Sequence, residues 1–271
     1  MFPSTFDYVR AGSVAEAISI LDGSDDAKLI AGGHSLLPLM KLRLAAPSTL
    51  VDIGRLSELN YIEDRGDHVA IGALTRHRDL ETSAVLKHSV PILSHVAGEV
   101  GDPAVRHRGT IGGSIAHGDG ASDLPAAVLA LDATMVVRSA SGERTVPAAN
   151  FFKGFLETDL GQGEVLTEIR VPKVSGGWAY KKFNRRAQDW AIVGVAVVRN
   201  GSTRISLVNM GSTPLRASAS ENAINQGASI EEAANLASEG IDPPSDLNAS
   251  AEYRRHLASV LVRRALQEAS A

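Results

Sequence analysis

Two segments built on adjacent glycines constrain this chain more than any other feature: Ala31-Gly32-Gly33-His34-Ser35-Leu36-Leu37-Pro38 and Gly109-Thr110-Ile111-Gly112-Gly113-Ser114-Ile115-Ala116. An apolar run, Lys28-Leu29-Ile30-Ala31, feeds the first pair, and Ser35 opens the apolar stretch Leu36, Leu37, Leu39, Met40. That order predicts a strand, a tight turn and a short helix. Adjacent glycines admit positive φ and close approach, so successive N–H groups can converge on an anion. A serine at a helix start adds a hydroxyl and the positive end of the dipole. The pattern reads as a diphosphate cradle, although a bare strand-to-helix turn satisfies it equally. The second pair repeats the theme and runs on into His117-Gly118-Asp119-Gly120-Ala121-Ser122-Asp123-Leu124-Pro125, so the two read as backbone walls closing on one phosphorylated ligand. Neither matches G-x-x-x-x-G-K-[ST] or G-x-G-x-x-G, which argues against a P-loop and against a Rossmann dinucleotide site.

Composition narrows the chemistry. The chain has 271 residues, 44% hydrophobic and 21% charged, as in ordinary globular proteins with ample core. A net charge of −4 gives no reason to expect nucleic acid as a partner. With no cysteine, the chain can carry no disulfide, thiolate chemistry, Cys-ligated zinc or Cys-ligated iron–sulfur cluster. No apolar run reaches the roughly 20 residues of a membrane span. The opening Met1-Phe2-Pro3-Ser4-Thr5-Phe6-Asp7 lacks a signal-peptide layout, so a cytoplasmic location is expected.

In chain order, residues 1–55 read as a small α/β unit. Ser13-Val14-Ala15-Glu16 is a capping box before a helix with Val14, Ala17, Ile18 and Leu21 inward, and Thr49–Ile53 is a further strand, favouring parallel pairing. From 56 to 174 the pattern is mixed: a strand at His68–Ala73, helical runs at Arg78–Leu86 and Pro91–Val100, and a buried helix at Leu124–Leu131. A hairpin over 134–146 and an alternating strand from Val165 to Val171 that stops at Pro172 point to an antiparallel sheet with covering helices. Beyond the boundary at 172–177, residues 175–271 read as three strands (Trp178–Phe183, Ala191–Arg199, Arg204–Met210) and three helices (Ala217–Asn225, Ile230–Ser238, Ala249–Ala269). In the last helix, Tyr253, Leu257, Val260, Leu261 and Ala265 are expected inside, with Arg254, Arg255, Arg263 and Arg264 outside.

Few residues invite chemistry on their own. His117, Asp119 and Asp123 match no metal-ligand spacing, so no metal is expected. Asp123 can accept from sugar-type hydroxyls beside a phosphate loop or can cap the helix at Leu124-Pro125. His34 points into the cradle or caps the turn. On a strand, Tyr180 and Lys182 share one face, and Lys181 and Phe183 the other. A flat aromatic ligand could lie against Tyr180 with a cation nearby, or the segment could be a solvated basic edge. No catalytic triad or carboxylate pair emerges, so no catalytic residue is assigned.

Both glycine motifs, together with Ser122-Asp123-Leu124-Pro125, Phe6-Asp7-Tyr8, Gly177-Trp178-Ala179-Tyr180-Lys181-Lys182 and Ala251-Glu252-Tyr253-Arg254-Arg255, resemble the FAD-binding medium subunit of the molybdenum hydroxylases, the xanthine dehydrogenase family. The resemblance covers nearly the whole chain and is closest to the aerobic carbon monoxide dehydrogenase branch. It implies an α+β fold: a two-part FAD-binding domain of the vanillyl-alcohol-oxidase-like (PCMH-type) fold, divided as 1–55 and 56–174, and a C-terminal flavoprotein domain, 175–271, with a three-stranded antiparallel sheet and helices. Carried over, Ala31, Gly32, Gly33, His34, Ser35 and Leu36 with Thr110, Ile111, Gly112, Gly113 and Ser114 hold the FAD diphosphate through backbone N–H groups. Asp123 bonds ribityl or ribose hydroxyls, Leu166 touches the adenine, and Tyr180 and Lys181 lie near the isoalloxazine. Position 114 is Ser where relatives commonly have Asn, a departure that bears on a side-chain contact and leaves the backbone contacts untouched.

The function implied is electron transfer. A large partner subunit carries the molybdenum cofactor, a small one carries two [2Fe–2S] clusters, and electrons pass through FAD to a quinone or other acceptor, within a dimer of heterotrimers that is cytoplasmic or peripheral at the inner membrane face. The absence of cysteine agrees with clusters on another chain. The complex's substrate, whether carbon monoxide, a purine, an N-heterocycle, an aldehyde or an aromatic acyl-CoA, is set by another subunit. A stand-alone flavoprotein oxidoreductase and a non-enzymatic phospholigand module are the alternatives. Valine at Gly33 or Gly112 is expected to abolish FAD retention.

Overall fold

The computed structural model describes residues 2–271. Its first part has β1 (Asp7–Arg10), α1 (Val14–Asp22), β2 (Ala27–Ile30), α2 (Leu36–Lys41) and β3 (Thr49–Asp52), with the strands in the order β1-β3-β2 and both pairings parallel. Parallel pairing follows from the helices that cross between strands. Ser13 accepts from Glu16 N at 3.1 Å, but the Glu16 carboxylate reaches back to Gly12 N at 2.7 Å, one residue beyond the expected box. Val14, Ala17, Ile18 and Leu21 pack on Val51 and Ile53, as their spacing requires. The short strand β1 carried no alternation in the sequence; its four residues are all exposed.

The middle part is a five-stranded sheet, β4-β5-β10-β6-β7, in which every pairing is antiparallel. It opens with β4 (Ile62–Asp64) and β5 (His68–Gly72), followed by α3 (His77–Thr82) and α4 (Ala84–Ser89). The single helical run expected from Arg78 to Leu86 is thus two helices. Ser83 leaves the helical region at ψ 121° and caps the second through Leu86 N at 3.2 Å. Then come α5 (Pro91–Glu99), α6 (Pro103–Arg108), α7 (Ile111–His117) and the wholly buried α8 (Asp123–Ala130). The hairpin of β6 (Thr134–Ser139) and β7 (Gly142–Pro147) leads through α9 (Ala148–Phe151) and the small pair β8 (Phe152–Gly154) and β9 (Glu157–Thr158) to β10 (Val165–Pro172). Helices α5, α7 and α8 cover one face of this sheet, where Ile71, Ile169, Val171 and Val137 meet Ile92, Ile115 and Leu124. Each such side chain contributes about 1.5–3 kcal/mol by leaving water.

The last part holds β11 (Trp178–Phe183), β12 (Val193–Asn200) and β13 (Ser202–Val208), joined by a short fourth strand β14 (Leu215–Arg216) beyond the three expected. The β12–β13 turn is tight, with Asn200 opposite Ser202 and Gly201 at φ 79°. Helices α10 (Ser218–Asn225), α11 (Ile230–Asn235) and α12 (Ala251–Glu268) follow. One face of the sheet packs on α12 and the other on α5 and α8. The inner stripe of α12 is Arg254, Leu257, Ala258, Leu261, Val262 and Ala265, so the expected faces need correction: Arg254 is fully buried while Tyr253 is 43% exposed. Arg254 is tolerated inside because its guanidinium donates to the Ile192 and Asn209 carbonyls and pairs with Asp246 at 2.7 Å. Among the described residues no helix is long and apolar enough to cross a membrane.

Candidate functional site

The first glycine segment links the end of β2 to α2 at the C-terminal edge of the parallel sheet. Gly33 has φ 76°, a conformation that costs an L-residue about 1–2 kcal/mol, and its carbonyl accepts from Leu37 N at 3.0 Å to start the helix. Among the described residues, no acceptor in the protein takes the N–H groups of Gly32, Gly33, His34, Ser35 or Leu36. The Ser35 side chain makes no capping bond, because Ser35 already has helical dihedrals (φ −100°, ψ −51°). His34 is exposed.

The second segment is not a turn. Thr110 caps α7, and Gly112 and Gly113 lie in the first turn of that helix, neither with positive φ. Here glycine serves close packing: a Cβ at Gly112 would fall 2.5 Å from Ala73 Cβ and 2.6 Å from Ala73 O. Most amides of the segment are taken, Ile111 N by Thr75 O, Gly112 N by Ala73 O and Ser114 N by Thr110 O, at 2.9–3.0 Å. The exposed Gly113 donates to the Thr110 hydroxyl at 3.1 Å. The two segments touch, since a Cβ at Gly32 would run into the Arg108 carbonyl and reach 2.9 Å from Gly109 Cα.

Behind this junction lies His77, which the sequence reading passed over. Its N–H donates to Gly109 O at 3.0 Å and its ring packs on Gly109, where an added Cβ would lie 2.7 Å from Nε2. Burial, with the nearby charges of His34, Arg76 and Arg106, holds its imidazole down to about 4. Nothing in the sequence marked it, because its environment is assembled from α3, α6 and the second segment.

Asp123 is the first residue of α8, with Ser122 at the cap position, so the capping role is excluded. Its buried carboxylate accepts from the Tyr180 hydroxyl at 2.5 Å and from Lys182 Nζ at 2.9 Å. Lys182 also donates to the Glu99 carbonyl at 2.9 Å. Burial pushes the Asp123 carboxyl up, against the pull of the Lys182 ammonium and the Tyr180 hydroxyl. Burial, then the Asp123 charge, keeps the Tyr180 phenol protonated far above its usual range. The shared face of Tyr180 and Lys182 is as strand alternation requires, but their partner lies 57 and 59 residues away, which no local pattern discloses.

The remaining residues scatter. Lys181, on the opposite face of β11, pairs with Glu268. Leu166 lies buried in β10 opposite Val137. Tyr180 is 4% exposed, its ring edge-on to His95, and so presents no open aromatic face. Asp119 accepts from Ala121 N at 2.9 Å, and among the described residues no three metal-ligating side chains converge.

A parallel unit ending in open amides, joined to an antiparallel sheet and closed by a C-terminal sheet, presents the donors of a protein that binds a diphosphate-bearing ligand. Residues 4–174 match the family described as "FAD binding domain in molybdopterin dehydrogenase", and residues 178–269 match "CO dehydrogenase flavoprotein C-terminal domain". The chain is 43% identical to the carbon monoxide dehydrogenase medium chain of Hydrogenophaga pseudoflava, over 99% of this chain and 98% of that one. It is 42% identical to the glyceraldehyde dehydrogenase medium chain of Sulfolobus acidocaldarius, over 99% of each. The solved carbon monoxide dehydrogenase from H. pseudoflava that lacks the Mo-pyranopterin moiety superposes with a TM-score of 0.94 at 45% identity, covering 99% of this chain and 98% of that one. The chain belongs to the FAD-binding medium subunits of the carbon monoxide dehydrogenase-like molybdenum hydroxylases, and is an oxidoreductase subunit.

FAD fits the residues present. The consecutive free amides from Gly32 to Leu36 are the donor set a diphosphate takes, and the bend that aligns them needs Gly33.

Proposed function

We propose that this chain is the electron-transfer subunit of a carbon monoxide-oxidising molybdenum hydroxylase; the run of unaccepted amides from Gly32 to Leu36 supports the flavin in that reading, and the 43% identity to a carbon monoxide dehydrogenase medium chain supports the substrate. When bound, FAD supplies redox chemistry that accepts electrons one at a time and releases them in pairs. The protein's part is binding and orientation. The amides beyond Ala31, those of Gly32, Gly33, His34, Ser35 and Leu36, hold one side of the diphosphate. On the other side the contribution of Thr110, Ile111, Gly112, Gly113 and Ser114 narrows to the Gly113 N–H and the Thr110 hydroxyl, whose mutual bond an oxyanion can replace.

Each Asp123 oxygen holds one donor and retains a lone pair for a ribityl or ribose hydroxyl, while Tyr180 and Lys182 fix its direction. Leu166 takes the adenine side. Lys181 reaches the isoalloxazine by exchanging its Glu268 partner for the ring, while Tyr180, buried on the other face of β11, acts near it only through its bond to Asp123. Electrons arrive from two [2Fe–2S] clusters on a small subunit, after substrate oxidation at the molybdenum cofactor of a large subunit, and leave to a quinone. The assembly is a dimer of such heterotrimers in the cytoplasm, at most peripheral on the membrane. The near-equal identity to a glyceraldehyde dehydrogenase medium chain supports an aldehyde-oxidising complex as the second reading.

Purification through a tag on this chain tests both. Co-purification of a larger and a smaller subunit with FAD absorbance, and dye reduction driven by carbon monoxide, is the expected outcome. Reduction by glyceraldehyde and not by carbon monoxide selects the second reading. A solitary flavin-bearing chain reduced directly by a small molecule overturns both.

A further inference from the structure

The residues from Ala27 to Val51 include no aspartate or glutamate, although the chain as a whole carries 31 of them and a net charge of −4. Within this stretch α2 ends in Lys41-Leu42-Arg43-Leu44, and all four side chains are exposed. Leu42 is 63% and Leu44 73% exposed. Among the described residues neither Lys41 nor Arg43 forms an ion pair. The flanking carboxylates are engaged elsewhere: Asp26 accepts from Ser48 N, and Asp52 accepts from the Tyr8 hydroxyl and Gly54 N.

The backbone holds this tip in place. Arg43 N donates to Met40 O at 3.0 Å and Leu44 N to Leu39 O at 2.9 Å, the paired bonds of a helix end closed by a left-handed residue. Glycine or asparagine usually fills that place, but here it is Arg43, at φ 58°. The apolar residue that follows such a turn commonly packs back on the helix, whereas Leu44 stands in solvent. A strained arginine and two leucines in water thus meet at one tip, and strain kept in this way marks a surface with a use.

Apolar side chains alternating with unpaired cations fit the boundary of an anionic bilayer, where leucine enters the acyl region and lysine and arginine stay among the head groups. A protein interface suits them less well, because its buried core is depleted of lysine. We propose that the cap formed by Lys41, Leu42, Arg43 and Leu44 docks on an anionic lipid surface. The excess of negative charge on the rest of the chain disfavours other orientations on such a surface. The cap lies one six-residue helix, about 9 Å, beyond the open amides of the first glycine segment, so docking turns the flavin side of the subunit toward the bilayer. That consequence rests on the flavin and quinone reading given above, since a lipid-soluble acceptor is met at the bilayer; the attachment itself does not.

The test is co-sedimentation of the purified complex with vesicles of phosphatidylcholine alone and of an equal mixture of phosphatidylcholine and phosphatidylglycerol. Binding to the mixed vesicles is expected, weakened by added salt and weakened about tenfold or more in each of two variants, L42S/L44S and K41Q/R43G, the second of which keeps the turn. Flavin content and subunit composition are expected to be unchanged in both. No binding to the mixed vesicles, or equal binding by the variants, overturns the proposal. Loss of a partner subunit from either variant also overturns it, because the cap is then a contact between chains. A complex that carries no flavin and still binds the mixed vesicles supports the lipid surface and defeats the flavin reading alone.

Discussion

The two glycine segments look alike as strings of residues and are built for different purposes. The first lies at the surface, bends through a positive φ at Gly33 and leaves its amides open. The second is embedded: Thr110, Ile111 and Gly112 are buried, three of its amides are bonded to backbone, and its glycine at 112 makes room for Ala73. Ligand binding is therefore concentrated on the first segment, and structural integrity on the second. The same dipeptide serves polar access in one place and steric access in the other.

The sharpest way to break that contrast is Gly112→Val. A side chain there meets the backbone and Cβ of Ala73, neither of which can move aside, so destabilisation of about 3 kcal/mol or more is expected in a denaturant melt, with FAD lost as a consequence. A normal melting midpoint would show that the second segment yields more readily than its packing implies. His77, wedged behind the same segment, gives an intermediate effect that depends on pH. Its folded-state value of about 4 lies below the ordinary 6.5, so the unfolded chain binds more protons between those values. The stabilisation is complete above about pH 6.5 and is lost as pH falls toward 4, by up to about 3 kcal/mol. His77→Gln should flatten the stability profile across that window, and an unchanged slope would assign the acid sensitivity elsewhere. Smallest in stability is Gly33→Ala, which costs about 1–2 kcal/mol for the positive φ, since its other obstacle is the movable Leu37 side chain. Its flavin content should nevertheless fall well below what so small a loss of stability accounts for. Full retention of flavin in Gly33→Ala would remove the cradle from the first segment.

Much of the fold was legible because hydrophobic spacing reports it directly. The inner stripe of α1, the β6–β7 hairpin and the Asn200-Gly201 turn each follow from local pattern alone. Arg254 misled because periodicity and polarity disagreed at one position, and the carbonyls that reconcile them come from β12 and the loop after β13. In the site, strand alternation groups Tyr180 with Lys182 on one face and leaves Lys181 on the other beside Glu268, but the Asp123 that joins the first two is remote in sequence. The helical character of Gly112-Gly113 was hidden because paired glycines are a turn signal, and only Ala73, brought across by β5, explains them otherwise.

The bonds from Tyr180 and Lys182 to Asp123 have a consequence for how the chain comes to exist. Tyr180, Ala196, Val198 and Val208 belong to the same continuous core as Ile71, Leu124 and Ile169, so the C-terminal sheet closes the helical layer of the middle part. A nascent chain that has left the ribosome only as far as Val174 carries both glycine segments and still lacks the lid over α5 and α8. The helical layer of the middle part is therefore covered only when the C-terminal sheet has been made, and a chain ending near Val174 leaves the apolar face of α5 and α8 open to water and to proteases.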